Sequence, residues 1–358
     1  MNSEQGHLSS EPKDDIRHFD RLKVAAAVAT VSGIVLFAYF VYSVGVGDLW
    51  DGISRFGSLG FLVILSIYFV RVCARAYAWK LSVHGPYELS VKDTFPAVVI
   101  GEALSSTIPL GILISGTSKA IAVRRRIPLV AGLSSVATEN LFYSFITGLF
   151  LIGGAVVLLR GFPVDENIVY ALNFLVVTLA ILTVLGVAMV IRQWHLASET
   201  LEFLFRQGIA VRLLEKLRLD ARLFENLIYG FYRRHPGRFV PICLLELLYH
   251  ILGVAEVWYI LSRLGEGLPS LTSAFLLESV SRLITVMFKL IPFMIGVDEA
   301  GAELVGEAVA IGAGVGVTLA IIRKGRILFW TAIGMLLVLN RGISIREIFK
   351  VAKRSEPI

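Results

Sequence analysis

Residues 105–120 read SSTIPLGILISGTSKA, and residues 289–301 read KLIPFMIGVDEAG. In each stretch an Ile-Pro pair interrupts an apolar run, and glycine and ionisable side chains follow it. Proline ends or kinks a helix because it lacks the backbone N–H. Within a membrane, a broken helix has to be buried in protein or line a wet cavity, since its backbone groups need partners. Two such breaks in corresponding parts of a chain indicate a transporter-like binding site.

The composition is that of a membrane protein. Of the 358 residues, 56% are hydrophobic and only 17% are charged, and the mean hydropathy is +0.75. A soluble domain has about 25% charged residues. Several apolar runs exceed the roughly 20 residues that cross a bilayer. We therefore predict an all-α fold, a polytopic membrane helix bundle with about seven or eight crossings and two broken or re-entrant segments, around Pro109 and Pro292.

We expect the helix breaks to include the two prolines and the glycines that follow them: Pro109, Gly116, Pro292, Gly296 and Gly301. The apolar segment 94–107, before the first break, is too short to cross a bilayer alone. After the break, residues 117–123 lead into three consecutive arginines. Entry and exit on the same side fit these lengths, so the pattern predicts a re-entrant hairpin.

The apolar runs also predict the order of the spans. A transmembrane domain over residues 24–340 follows an N-terminal tail, residues 1–23, and precedes a basic C-terminal tail, residues 341–358. The expected spans are residues 24–44, 59–80, 128–159, 167–191, 239–262 and 271–290, with a final helix that begins near Gly314. Residues 45–58 are expected to be a loop on the outer side.

Residues 192–238 form the longest polar segment, and their apolar side chains recur at helical spacing. Such a basic, amphipathic pattern is typical of helices that lie on a membrane surface. A packed helical hairpin in the cytoplasm is an equally good interpretation. Both interpretations place this basic loop on the cytoplasmic side.

The net charge of +6 does not indicate nucleic-acid binding, because the basic residues lie between hydrophobic segments. Basic clusters at these positions are typical of cytoplasmic loops that contact anionic lipid head groups. We expect a multi-pass protein of the cell (inner) membrane with a cytoplasmic N-terminus. Its partners are expected to be membrane lipids, anionic or amphipathic.

Ionisable side chains inside apolar segments are costly and indicate functional sites. Arg71 and Arg75 are one helical turn apart, and they either bind a phosphate-bearing head group or extend to the membrane interface. Lys119 either pairs with Glu102 on the other leg of the hairpin or binds a lipid phosphate. Glu139 is expected to face inward and pair with a cation across the bundle.

The second half carries its own charged groups. An ion pair between Glu278 and Arg282, at i and i+4, is expected within one helix. Carboxylates then form an acidic stripe at Asp298, Glu299, Glu303 and Glu307. They either neutralise three downstream basic residues, namely Arg323, Lys324 and Arg326, or form a proton or cation relay.

The sequence offers little for metal or catalytic chemistry. Glu246 and His250, at i and i+4, have a metal-ligand spacing, but a third ligand and the HExxH pattern are lacking, so a hydrogen-bonded pair is the better interpretation. The glycines at 312, 314 and 316 lack the Lys-Ser/Thr of a phosphate loop, and their GxxxG spacing predicts close helix packing. We expect no metal, no cofactor and no enzymatic activity.

The two broken segments resemble the flippase-like family, which is also described as the transmembrane region of lysylphosphatidylglycerol synthases. The first block carries its proline, glycine, lysine and arginine pattern in Ile108-Pro109, Ser115-Gly116, Lys119, Arg124 to Arg126, Pro128 and Glu139. The second block carries Pro292, Gly296, Glu299, Gly301, Arg323, Arg326, Trp330 and Gly334. Thr117 stands where the family often has an acidic residue. The soluble aminoacyl-transferring domain of the synthases does not follow, so no synthase activity is expected.

The resemblance and the intramembrane charges together predict a lipid translocator. It moves a phospholipid, glycolipid or related amphipathic lipid between leaflets, through a charged cavity of which the two breaks form complementary walls. The residues expected to bind the head group are Arg71, Lys119, Glu139, Arg282, Asp298, Glu299, Arg323 and Arg326. The alternative is a non-transporting scaffold for a lipid-modifying or glycosyl-transferring enzyme that docks on residues 192–238. A second copy of the chain is another candidate partner.

Overall fold

The computed structural model describes residues 45–83, 85–108, 111–162, 166–207, 225–265, 269–287, 291–309 and 314–341, and isolated positions 35, 38, 39, 42, 222 and 311. Over these residues the protein is all-α, as predicted. The N-terminal tail, almost all of the expected span 24–44 and the C-terminal tail beyond Arg341 lie outside the described residues.

The helices follow the predicted order closely. They are α1 (Val46–Ser82), α2 (Val91–Thr107), α3 (Gly111–Ala122), α4 (Leu129–Gly161), α5 (Glu166–Arg192), α6 (Leu196–Arg206), α7 (Phe239–Leu264), α8 (Leu271–Met287), α9 (Val297–Ala308) and α10 (Val315–Asn340). Within the described residues, four helical segments are long and apolar enough to cross a membrane: Leu49–Ser82, Leu129–Gly161, Leu172–Arg192 and Pro236–Leu264.

The prediction of a loop over residues 45–58 is wrong. Helix α1 begins at Val46 and kinks at Gly57, where φ is 68° and ψ is 174°. Asp51 and Arg55 are exposed, while Leu49 and Phe56 are buried. An amphipathic helix with a glycine kink therefore replaces the loop.

Helices α2 and α3 form the predicted hairpin. Helix α2 begins at a capping box, in which the Ser90 amide donates to Asp93 Oδ2 over 3.1 Å. The legs approach closely at Gly101, where a Cβ atom would lie 2.8 Å from Cγ of Lys119. Helix α2 ends at Thr107 and α3 begins at Gly111, so the helix is interrupted at the predicted place, although Pro109 itself lies outside the described residues.

The second break also occurs where it was predicted. Helix α8 ends at Met287, a 3₁₀ turn covers Pro292–Met294, and α9 begins at Val297. Two residues of this turn have positive φ, Phe293 at 55° and Met294 at 50°, and so does Gly296 at 83°, directly before α9.

Gly116 and Gly301 are not helix breaks, contrary to prediction. Gly116 lies inside α3, and Gly301 lies inside α9. A Cβ atom at Gly301 would lie only 2.1 Å from Cδ1 of Ile284. This glycine therefore serves close packing of α9 on α8.

Helix α10 joins the two halves of the bundle. It begins after Gly314, as predicted, and packs on α9 at Gly316, where a Cβ atom would lie 2.4 Å from the Ala302 carbonyl oxygen. Near its other end, a Cβ atom at Gly334 would lie 2.4 Å from the Ala103 Cβ of α2. Close packing is therefore present at Gly316, one of the two glycines predicted for it, whereas Gly312 lies outside the described residues. Helix α10 contacts the elements that flank both breaks.

The described parts of residues 192–238 are helical and pack on each other. The Ser198 hydroxyl of α6 donates to Glu225 Oε2 over 2.6 Å, and a His195 ring nitrogen lies 3.0 Å from Asn226 Oδ1. These contacts favour the packed hairpin over separate surface helices. The side of the membrane on which this hairpin lies stays a prediction.

Candidate functional site

A cavity of about 380 Å³ lies between the two breaks. Its wall includes Ser105 and Ser106 at the end of α2, Ser115 of α3, and Phe293 and Met294 of the second break. Helices α1, α4, α7, α8, α9 and α10 complete it. The prediction that both breaks contribute to one cavity is therefore confirmed in geometry.

Arginine dominates the charged groups of the cavity wall. Among the described residues, four arginines and two carboxylates line it: Arg75, Arg282, Arg323, Arg326, Glu102 and Asp298. The wall thus carries more positive than negative formal charge, and its arginines come from three different helices.

The carboxylates that hold these arginines lie behind the wall. Glu278 is fully buried and accepts hydrogen bonds from Arg282 Nε over 2.8 Å and from Arg323 Nη2 over 2.7 Å. It also accepts from Arg71 Nη2 over 3.2 Å. Room for its carboxylate comes from Gly253 of α7, where a Cβ atom would lie 2.3 Å from Glu278 Oε1. The predicted Glu278–Arg282 ion pair is confirmed, but it is only one of three ion pairs in the network that Glu278 makes with described residues.

Glu256 is the second buried anion of this network. It accepts from Arg71 Nη1 over 2.9 Å, and its Oε1 lies 2.9 Å from Arg326 Nε. Buried ions are stable only when they are paired. Two carboxylates from α7 and α8 therefore fix four guanidinium groups from α1, α8 and α10.

A second network surrounds Glu139 of α4. Arg75 donates to Glu139 Oε1 through Nε and Nη2, over 3.1 and 2.9 Å. The Lys119 ammonium lies 3.6 Å from Glu139 Oε2. Glu102 accepts from the Tyr68 hydroxyl over 2.6 Å and lies 3.8 Å from Arg75 Nη1. Glu139 thus pairs with cations across the bundle, as predicted, whereas Lys119 pairs with Glu139 rather than Glu102.

Tyrosine rings separate and orient the guanidinium groups. The Tyr249 ring lies 4.3 Å from the guanidinium carbon of Arg71, 5.6 Å from that of Arg75 and 5.4 Å from that of Arg282. The Tyr68 ring lies 4.1 Å from that of Arg326. Such cation–π contacts offset part of the repulsion between neighbouring arginines.

The eight predicted head-group residues divide into two groups. Arg282, Asp298, Arg323 and Arg326 line the cavity, whereas the other four are buried behind it: Arg71, Lys119, Glu139 and Glu299. Arg71 is 0% exposed, so the alternative that it extends to the membrane interface is wrong. Its partners Glu256 and Glu278 hold it inside the bundle.

The acidic stripe is neutralised only in part by the predicted cations. Glu299 pairs with Lys324 and also accepts from the Gly296 amide over 2.8 Å. Asp298 accepts from the Ser281 hydroxyl over 2.9 Å, and Glu303 accepts from the Gly314 amide over 3.0 Å. The expected pairing with Arg323 and Arg326 is wrong, since both bind the buried carboxylates of α7 and α8. The Glu307 side chain lies outside the described residues.

The expected hydrogen bond between Glu246 and His250 does not form. A ring nitrogen of His250 lies 3.0 Å from the Thr147 hydroxyl, and the ring stacks on Phe150 with centroids 4.7 Å apart. Both carboxylate oxygens of Glu246 are buried without a hydrogen-bond partner among the described residues.

Sequence reasoning missed Glu256 and Tyr249. Glu256 lies in an apolar span, so the criterion that selected Glu139 applied to it equally. The contacts of Tyr249 could not be predicted from the neighbouring sequence, because the arginines that its ring contacts lie on two other helices.

The family described as "Lysylphosphatidylglycerol synthase TM region" matches residues 24–334. No curated protein and no solved structure has a significant match to the chain. The four membrane-length helices found among the described residues and a family match over most of the chain make this a membrane protein. The resemblance inferred from the two broken segments is confirmed: the chain belongs to the lysylphosphatidylglycerol synthase transmembrane-region family.

Proposed function

We propose that the protein is a lipid translocator that moves an amphipathic lipid between the leaflets of the cell (inner) membrane. The observation that carries the proposal is the arginine-lined cavity between two broken helices. Membership of a family named for a lipid-modifying enzyme's membrane region supports an association with lipids. The proposal involves no covalent step.

The physical problem of translocation is the polar head group. A charged group at the centre of a bilayer costs at least about 2.5–3.5 kcal/mol. Guanidinium groups that are already desolvated and fixed by Glu256 and Glu278 replace water around an anionic head group without reorganising. Acyl chains need no such site, since large apolar side chains are exposed along the outer helices, such as Phe174 and Ile181 of α5.

The wall arginines and the buried charges have different parts in this mechanism. Arg282, Arg323 and Arg326 contact the head group, together with Arg75. The carboxylates behind them set the positions of the guanidinium groups. Lys119, behind the wall, holds Glu139 and through it Arg75.

Scrambling of fluorescent phospholipid in vesicles that contain the purified protein tests the proposal. Wild type is expected to exchange lipid between leaflets faster than protein-free vesicles. Arg282→Gln is expected to lower the rate about tenfold or more, since a charge-assisted hydrogen bond contributes about 1.5–3 kcal/mol. Glu278 retains Arg71 and Arg323 as partners in this variant.

The matched control is Arg206→Gln. Arg206 is also paired with a glutamate four residues away, but its side chain is 77% exposed on α6. Its scrambling rate is expected to equal that of wild type. If vesicles with the wild-type protein exchange phospholipid between leaflets no faster than protein-free vesicles, the proposal is wrong and the scaffold alternative is favoured.

A further inference from the structure

Four hydrogen-bond donors of cavity-lining side chains are buried without a hydrogen-bond partner among the described residues: Arg323 Nε, Arg326 Nε, Arg326 Nη1 and Trp330 Nε1. The first two lie 3.9 and 2.9 Å from Glu256 Oε1. Arg326 Nη1 and Trp330 Nε1 have no hydrogen-bond acceptor among the residues that the structure describes. The two residues lie four positions apart on α10, so they share one helix face, and both line the cavity. Buried donors are normally satisfied, and an exception calls for an explanation.

Both side chains are held rigidly by other contacts. Arg326 is 2% exposed, its Nε lies 2.9 Å from Glu256 Oε1, and its guanidinium lies over the Tyr68 ring. The Trp330 indole stacks on Phe69 with centroids 6.2 Å apart. These contacts fix both side chains although neither Arg326 Nη1 nor Trp330 Nε1 donates a hydrogen bond to a described residue. An acceptor bound in the cavity would satisfy both donors without moving them.

Each of the two carboxylates in the described part of the cavity wall already accepts a hydrogen bond. Glu102 accepts from Tyr68 and lies close to Arg75, and Asp298 accepts from Ser281. An ammonium group in the cavity would have to compete for these carboxylates beside four arginines. Amine-bearing head groups are therefore disfavoured.

Hydroxyl and amide groups make up much of the remaining polar wall. They include Ser105, Ser115, Asn140, Ser144 and Thr331. Such groups both donate and accept, so they match the hydroxyls of a polyol. The volume of about 380 Å³ suits a head group rather than a whole lipid.

We propose that this cavity selects an anionic lipid whose head group is a phosphodiester bearing a polyol without an amine, with the phosphate oxygens accepting from Arg326 Nη1 and Trp330 Nε1. The inference concerns the same cavity as the proposed function and specifies its substrate class. It differs from what the family description suggests, because a lysyl head group carries amines and this wall has few carboxylates to receive them.

Native mass spectrometry of the purified chain tests the selectivity at equilibrium. The probes are equal amounts of phosphatidylglycerol, phosphatidylethanolamine and lysylphosphatidylglycerol, with soluble glycerol phosphate as a competitor. Phosphatidylglycerol is expected to occupy the protein about tenfold more than either amine-bearing lipid, because all three lipids share the phosphate and only the ammonium group has to lie beside the four arginines of the wall. Glycerol phosphate is expected not to displace it at equal concentration.

Trp330→Phe keeps the aromatic stack and removes only the donor. It is expected to lower phosphatidylglycerol occupancy about tenfold, and Arg326→Lys, which loses the planar fork, is expected to lower it similarly. The matched control is Trp258→Phe, since the Trp258 indole donates to the Pro269 carbonyl over 3.0 Å, outside the cavity wall. Its occupancy is expected to equal that of wild type.

Three results would overturn the inference: equal occupancy by an amine-bearing lipid, displacement by glycerol phosphate at equal concentration, or equal losses in Trp330→Phe and Trp258→Phe. Selective binding without scrambling would reject the proposed transport and leave the inference standing. Scrambling without head-group preference would reject the inference alone.

Discussion

Replacing Glu278 by glutamine is expected to lower the free energy of unfolding by about 3–5 kcal/mol, because it removes one partner from a buried ionic network. The carboxylate is fully buried and accepts from Arg71, Arg282 and Arg323. Glutamine keeps the volume but not the charge, so Glu256 alone would face four buried guanidinium groups. The measurement is a titration of the detergent-solubilised protein with a denaturing detergent, in which tryptophan fluorescence gives the midpoint of unfolding.

The control for this variant is Glu202→Gln. Glu202 also pairs with an arginine four residues away, Arg206, but at the exposed surface of α6. Exposed pairs contribute only about 0–1 kcal/mol. Equal midpoints for the two variants would contradict the view that the Glu278 network stabilises the bundle.

A second substitution separates charge imbalance from loss of a specific contact. In Glu278→Gln combined with Arg282→Gln, one positive charge is removed together with the negative one. Part of the lost stability is therefore expected to return, as non-additivity between contacting residues. Scrambling is expected to stay low, since Arg282 lines the cavity.

The bounds of most helices and the positions of the two breaks were predictable because they depend on residues that are close together in the sequence. The expected span 239–262 matches Phe239–Leu264, and the second break occurs at the turn Pro292–Met294. Hydropathy over a window and an Ile-Pro pair require no knowledge of distant residues. The same reasoning failed at residues 46–56, where charged side chains on the exposed face of α1 resembled a loop.

The sequence indicated that a buried charge needs a partner elsewhere in the bundle, but not which residue that partner is. Glu139 has no neutralising neighbour in sequence, which correctly indicated a partner across the bundle, but Arg75 is 64 positions away. Arg71 and Glu278 are 207 positions apart, so neither could be assigned to the other before the fold was known. The pairing of Arg323 with Glu278 instead of the nearby acidic stripe is likewise a tertiary outcome.

Replacing Gly334 by alanine is expected to destabilise the protein by about 1–3 kcal/mol through overpacking. The new Cβ atom would lie 2.4 Å from the Ala103 Cβ and 2.8 Å from the Val99 carbonyl oxygen of α2. Neither atom belongs to a flexible side chain, so α10 and the α2–α3 hairpin would have to separate. Because both elements line the cavity, scrambling is expected to fall together with the unfolding midpoint.

Gly186→Ala in α5 isolates the packing effect from helix propensity. Alanine is favoured over glycine by about 1 kcal/mol inside any helix, so both variants gain this contribution. A Cβ atom at Gly186 would have nothing within 4 Å, and this variant is expected to match or exceed wild-type stability. The difference between the two midpoints therefore measures the close approach of α10 to α2. If Gly334→Ala were as stable as Gly186→Ala, α10 would not be packed against the hairpin that carries the first break, and the two breaks would not share one cavity.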